Sequence, residues 1–129
     1  MSPARPVKLF FDGGCRPNPG RMECAVVARG ITHHRGDLGP GTSSHAEWLA
    51  LLHALEVARA IGASDLQLLG DSRFVVGQAN GAKIRGADFA EYRARFVRMA
   101  EGFARVRVRH VPRSHNLAGI ALERMCSGL

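Results

Sequence analysis

The chain has 129 residues, 46% of them hydrophobic and 22% charged, which suits one domain with a buried core and is too short for two. No apolar run approaches the ~20 residues that span a bilayer, and MSPARPVKLFF at the start lacks a signal-peptide apolar region, so no membrane partner and a cytoplasmic home are expected. The net charge of +7, with 16 of the 18 basic residues arginine, favours a polyanionic partner, although arginine richness also follows from genomic base composition.

In chain order, VKLFF (7–11) predicts a buried strand that reaches Asp12 and then breaks into the rigid loop GGCRPNPG. Cys15 in that loop, with Cys24 and Cys126, makes an odd set without C-x-x-C spacing, which argues against a disulfide framework and a structural zinc site. MECAVVAR (22–29) and ITHHR (31–35) flank Arg29-Gly30, a two-residue hairpin turn, and a glycine-rich connector follows over 36–44. Ser44 to Ile61 predicts a helix: Ser44 and Glu47 form an S-x-x-E capping box, and Gly62 supplies the stop. Trp48, Leu49, Leu51, Leu52 and Leu55 make that helix apolar almost all round, so it should be well buried.

LQLLG (66–70) predicts a short strand, and a short helix opens at Asp71 or Ser72. A further helix is expected from Asp88 to Gly102, capped by Asp88 and Glu91, with Phe89, Tyr92, Phe96, Met99 and Phe103 as its apolar stripe. RVRVRHV (105–111) alternates with period two, giving a half-buried strand with an arginine face, and a last helix runs from Asn116 to about Cys126. His33, His34, His45 and His53 lack ligand spacing.

This order predicts a single α/β domain over 1–129, monomeric by default, with a mixed five-stranded sheet of three antiparallel and then two parallel strands flanked by helices. A right-handed crossover through helix 44–61 returns strand 66–70 parallel to strand 7–11. Asp12 and Asp71 then sit just past neighbouring strand ends, with Glu47 in the first turn of the crossover helix. Singly, each acid has a local reading as turn residue, cap partner or N-cap. Jointly they would repel one another, and a pair of divalent cations would resolve the repulsion. Mg²⁺ suits such a site, because it takes a few carboxylates and keeps waters for phosphate chemistry.

The blocks D-G-x-x-x-x-N-P-G (12–20), A-E-x-x-A-L (46–51) and G-D-S-x-x-V-x-x-Q-x-x-G (70–81), with VPRSHNLAGIAL (111–122), resemble type 1 ribonuclease H in order and spacing. The likeness is to its short form, without a basic insertion between the middle helices, and spans residues 7 to 123. It implies a ribonuclease H-like fold and metal-dependent endonucleolytic hydrolysis of the RNA strand of RNA/DNA hybrids with Mg²⁺ or Mn²⁺, two ions per site. Asp12, Glu47 and Asp71 would be catalytic metal ligands, and His115 would assist proton transfer or product release. Gly13, Gly14, Cys15, Arg16 and Asn18 would lie along the RNA strand within reach of ribose 2′-hydroxyls. Arg113 is placed as a phosphate contact and Asn116 among the nucleic-acid-binding residues. Gln78 reads either as a groove contact or as a solvated helix residue.

Two departures stand out. Ser43 and Ser44 replace two asparagines that touch the minor groove in the family, and they reach less far. Ile120 stands where the family has its fourth metal-binding aspartate. Glu123, one helical turn further on, is either a partial substitute or a solvated terminal-helix residue. Catalysis with reduced activity is therefore expected, the alternative being a weakened or inactive module that binds hybrid or double-stranded RNA.

Overall fold

The computed structural model describes residues 5–126. Strands β1 (Val7–Cys15), β2 (Gly20–Ala28) and β3 (Ile31–Arg35) form an antiparallel meander, and the two-residue β4 (Pro40–Gly41) pairs with the start of β2. Helix α1 (Ser43–Ala60) crosses over to β5 (Asp65–Gly70), which lies parallel to β1. Helices α2 (Arg73–Ala79) and α3 (Ala87–Ala100) lead to β6 (Arg105–His110), parallel to β5, and helix α4 (Leu117–Cys126) closes the described chain. The strand order is β3-β2-β1-β5-β6, with β4 appended to β2. The expected α/β architecture is present, with one more short strand than the sequence suggested.

Alternation along the strands divides the core. Leu9, Phe11, Val26, Leu66, Leu68 and Val108 point to the α1–α3 face, where they meet Trp48, Leu51, Leu52, Leu55 and Phe96. The opposite face carries Ala25, Val27 and Phe10, which α4 covers with Ala118 and Leu122. Burying each large apolar side chain contributes roughly 1.5–3 kcal/mol, so α1, apolar on nearly every side, is the main clamp on the sheet.

Several boundaries differ from the sequence expectation. Asp12 does not end its strand: β1 continues through Gly13, Gly14 and Cys15, paired with Cys24, Glu23 and Met22 of β2. Only the parallel ladder to β5 stops there, at Phe10 opposite Leu69. The tight turn is thus confined to 16–19, where both X-Pro peptide bonds, Arg16-Pro17 and Asn18-Pro19, are cis. The cap of α1 is Thr42, whose hydroxyl accepts from the His45 N–H, not the expected Ser44–Glu47 box. Ser72 caps α2 by accepting from the Val75 N–H. Gly86, at φ 97°, precedes α3, and Asp88 falls inside its first turn. With Thr42 and Ser72 as the caps, neither Glu47 nor Asp71 is used to cap its helix. The side chain of Cys126 lies outside the described residues; Cys15 and Cys24 are free and buried.

Candidate metal centre and nucleic-acid face

Asp12, Glu47 and Asp71 converge where the parallel ladder opens. Ligand oxygens from the three carboxylates all lie within 4.8 Å of one another. Gly13 makes the approach possible, because a Cβ at this position would overlap the Ala46 backbone. The first turns of α1 therefore press directly on β1 and set Glu47 beside Asp12, where it accepts from the Gly13 N–H.

Asp71 is held from the other side of the sheet. Asn116, fully buried, donates through Nδ2 to Asp71 Oδ2 at 3.1 Å and to the Phe11 carbonyl at 3.0 Å. Its Oδ1 accepts from the Ala118 N–H at 3.1 Å, capping α4. One amide thus fixes β1, the acid after β5 and the start of the last helix. Gly119 follows, and a Cβ there would sit 3.5 Å from Asp12 Oδ2 and 3.6 Å from Asp71 Oδ2. This keeps α4 close under the acids. Ile120 is half-buried beside Arg16 and Glu123. Among the described residues no fourth carboxylate joins the cluster.

The electrostatics are those of a site short of positive charge. Asp12 is only 4% exposed, and burial, aided by Asp71, raises its pKa to about 6 against the opposing pull of Glu47 and Arg113. Burial, then Asp12 and Asp71, push Glu47 well above the usual carboxylate range, and the two acids share a hydrogen bond. Even so, Asp12 Oδ1 and Glu47 Oε2 are buried without a partner. Native interiors seldom leave such atoms unsatisfied, and buried carboxylate oxygens are of the kind that coordinate a metal cation. Arg113 stands over the opening: partial burial pulls its pKa down, but Asp12 and Asp71 outweigh that and raise it. It contacts Glu123 at 3.5 Å, and both residues are mostly exposed. The cavity at the acids measures about 190 Å³, with Arg16, Ser43, Arg113 and Glu123 on its walls.

The structure sorts the remaining expected site residues into surface and interior. Arg16 and Asn18 are exposed on the turn, and Asn18 Oδ1 accepts from the Ser43 N–H at 3.2 Å, tying the turn to the start of α1. Ser43 and Ser44 are half-exposed there. His115 is exposed on a single 3-10 turn (Arg113–His115) just before Asn116. Gly13, Gly14 and Cys15, expected in a loop, are strand residues. The Cys15 sulfur is buried within 3.2 Å of the Pro17 carbonyl and 3.1 Å of the Gly41 carbonyl, so its side chain is no surface contact.

Two expectations change outright. Gln78 is not solvated: it is 4% exposed, and its Oε1 accepts the Trp48 indole N–H at 2.8 Å. A buried indole N–H needs an acceptor, and α2 supplies it. Asn116 is no nucleic-acid contact, since it is 0% exposed and all its bonds run inward. The sequence carried the signal for this second role, an asparagine immediately before a helix, where it is a favoured cap. Gly119 was not singled out from sequence. Only the close approach of α4 to the acids gives it meaning.

The chain is similar to known proteins. The profile of the reverse transcriptase-like family matches residues 11–126. Ribonuclease HI of Halobacterium salinarum is 37% identical over 122 residues, covering 90% of this chain and 61% of that protein. The bifunctional protein Rv2228c of Mycobacterium tuberculosis is 30% identical over 117 residues, 85% of this chain and 32% of its own length. The chain thus spans about three fifths of the archaeal relative and a third of the mycobacterial one. The crystal structure of RNase H1 from Halobacterium salinarum superposes with a TM-score of 0.86 at 31% identity, covering 97% of this chain and 100% of that one. LC11-RNase H1 in complex with an RNA/DNA hybrid gives 0.79 at 27% identity, over 90% and 92% of the two chains.

Proposed function

Because the chain belongs to the reverse transcriptase-like family as a type 1 ribonuclease H-like protein, we propose that it hydrolyses the RNA strand of RNA/DNA hybrids. The observation that carries this reading is the convergence of Asp12, Glu47 and Asp71 within 4.8 Å, with inward carboxylate oxygens left unpartnered. Asp12 would be the ligand shared by the ions, with Glu47 and Asp71 completing the set. Two divalent cations, Mg²⁺ or Mn²⁺, would supply an activated water and charge neutralisation at the leaving oxygen.

The chain's own residues do the rest. Asn116 holds the Asp71 carboxylate in one orientation, so no reorganisation is needed when a phosphodiester arrives. Arg113, charged and facing the acids, takes up a phosphate oxygen and offsets the negative cluster. Arg16, Asn18, Ser43 and Ser44 form a polar shelf beside the cavity for the RNA strand, within reach of 2′-hydroxyls. His115, exposed beside Arg113, is proposed to exchange protons as product leaves. No helix among the described residues is long and apolar enough to cross a membrane, and the free thiols of Cys15 and Cys24 suit a reducing cytoplasm.

The test is incubation of purified protein with an end-labelled hybrid in Mg²⁺ or Mn²⁺, beside an Asp71→Asn control. Cleavage to 3′-hydroxyl and 5′-phosphate ends that vanishes in the control supports the reading. A second reading, a module that grips hybrid without cutting, draws on Ile120 and the three-acid cluster. Tight binding with no cleavage in either metal would favour it.

A further inference from the structure

Beyond the acidic site, the back of the sheet presents an organised set of cations. Val106 and Val108 of β6 face the core against α1–α3, so strand alternation turns Arg105, Arg107 and Arg109 to the opposite face. Helix α4 packs chiefly on β1 and β2, which among the described residues leaves the β5–β6 half of that face without a helix of its own. The register sets Lys8 opposite Gln67 and Gln67 opposite Arg107, so Lys8 lies in the same row as the middle arginine. Arg5 and Arg29 border a shallow cleft with Lys8 and Phe10 at the near end.

Little on this face neutralises the charge. Asp65 contacts Arg107 at 3.7 Å, and both are half-buried. Arg105 and Arg109 are exposed and make no ion pair among the described residues. Alternate residues of a strand stand about 6.6 Å apart, and strands about 4.8 Å apart, so the backbone positions that carry these arginines repeat at a spacing comparable to that of phosphates along a nucleic-acid strand. The ladder also has a direction. Strands β5 and β6 run parallel, so Arg109 lies at the edge that carries Asp71, and Arg113 follows it over the acids. From there the cations lead away along β6 to Arg105.

We propose that this plate, Arg105, Arg107 and Arg109 with Lys8, is a second contact for nucleic acid that grips the phosphate backbone of a duplex beyond the acidic site. Planar arginine forks favour bidentate phosphate contacts. The exposed large apolar residues, Ile31, Phe74, Val97, Leu117 and Met125, all lie off β1, β5 and β6, so the plate lacks the apolar anchors a protein partner would bury. The choice of duplex rests on the proposed hybrid substrate, but the contact itself is read by binding and not by cleavage.

The experiment compares wild type with an Arg105→Gln/Arg109→Gln double variant that leaves the half-buried Arg107–Asp65 pair intact. Fluorescence anisotropy in EDTA follows labelled hybrids of about one and about three helical turns across a salt series. On the long duplex the variant should bind about tenfold more weakly at physiological salt, with a log K against log salt slope shallower by about 1.8. Binding to the short hybrid, and its cleavage in metal, should stay at wild-type level. Equal affinity and slope for both proteins on the long duplex would overturn the proposal and leave the arginines as guards of an exposed sheet edge. Polyglutamate competing as well as duplex, with the same dependence on Arg105 and Arg109, would overturn the nucleic-acid assignment. Loss of cleavage with the arginine-dependent slope intact would count against the proposed activity only.

Discussion

Asn116 and Asp71 are joined by a 3.1 Å hydrogen bond that ties the first residue of the last helical cap to the acid behind β5. The same amide donates to the Phe11 carbonyl in β1, one residue before Asp12. The geometry of the acid cluster and the closure of the fold therefore share one side chain. Asn116→Ala should cost about 1–3 kcal/mol, because two buried acceptors lose their donor and α4 loses its cap. Asn116→Asp should do worse, since it adds a buried carboxylate against Asp71. Urea melts rank the three proteins for stability. Metal titration by calorimetry should show weaker binding in both variants, and an unchanged affinity would mean that Asp71 needs no such support.

The acids should make the metal-free protein weaker as pH rises. Asp12 has a folded pKa of about 6 against an ordinary 3.8, so between these values the folded state binds more protons than the unfolded one. Its unfavourable contribution therefore grows as pH climbs from about 4 to 6 and persists above. Asp12→Asn removes the charge and should stabilise the metal-free protein at pH 7 by on the order of 2 kcal/mol, a shift of several degrees in Tm, while abolishing cleavage. Divalent metal should stabilise wild type and leave the variant nearly unmoved. Thermal melts with and without Mg²⁺ give the answer. An unstable Asp12→Asn protein would count against the repulsion.

Ile120 gives the sharpest test of the site's chemistry. A Cβ added at its neighbour Gly119 would sit 3.5 Å from Asp12 Oδ2 and 3.6 Å from Asp71 Oδ2, so α4 already passes close to the acids. Ile120→Asp should bring a fourth carboxylate to this edge and raise hybrid cleavage by about tenfold or more, most clearly in Mg²⁺, which demands more complete coordination. Glu123 is mostly exposed and contacts Arg113, so Glu123→Gln should change activity little by comparison. Steady-state rates in both metals compare the two. A flat response to Ile120→Asp would show that the missing ligand is not the limiting defect.

Much of this was legible in the sequence. Strand and helix order followed from periodicity, and the right-handed crossover rule alone set Asp12 beside Asp71. What remained hidden were choices among equivalent polar residues. Ser44 read as the cap of α1 from its S-x-x-E spacing, but Thr42, two residues earlier, accepts the His45 N–H instead. Gln78 reads from the sequence either as a groove contact, which the resemblance implies, or as a solvated helix residue, because nothing local reveals that a buried Trp48 lies opposite. Asn116 has a surface polar identity and an interior job, a distinction made by contacts 105 residues apart in the chain.

His53 should give the protein a second, opposite response to acid. It is 8% exposed within α1, and neither ring nitrogen has a hydrogen-bond partner. Burial, with Arg35 and His33 of β3 adding repulsion and Glu56 of α1 opposing them, lowers its pKa to about 4 from the ordinary 6.5. Glu56 is only partly available to it, standing 3.9 Å from the ring while bonded to Arg35 at 2.7 Å. The folded state thus binds fewer protons than the unfolded one between these values. The stability tied to neutral His53 is complete above about pH 6.5 and drains away as pH falls toward 4. This opposes Asp12, whose burden lightens over the same range, so wild-type stability should vary less with pH than either group alone would dictate. His53→Leu separates them: it removes the histidine's loss and leaves the carboxylates' gain. Urea melts of both proteins at pH 7 and pH 4.5 should show the variant gaining relative to wild type on the acid side, and parallel behaviour would mean that the ring finds a proton acceptor in the fold.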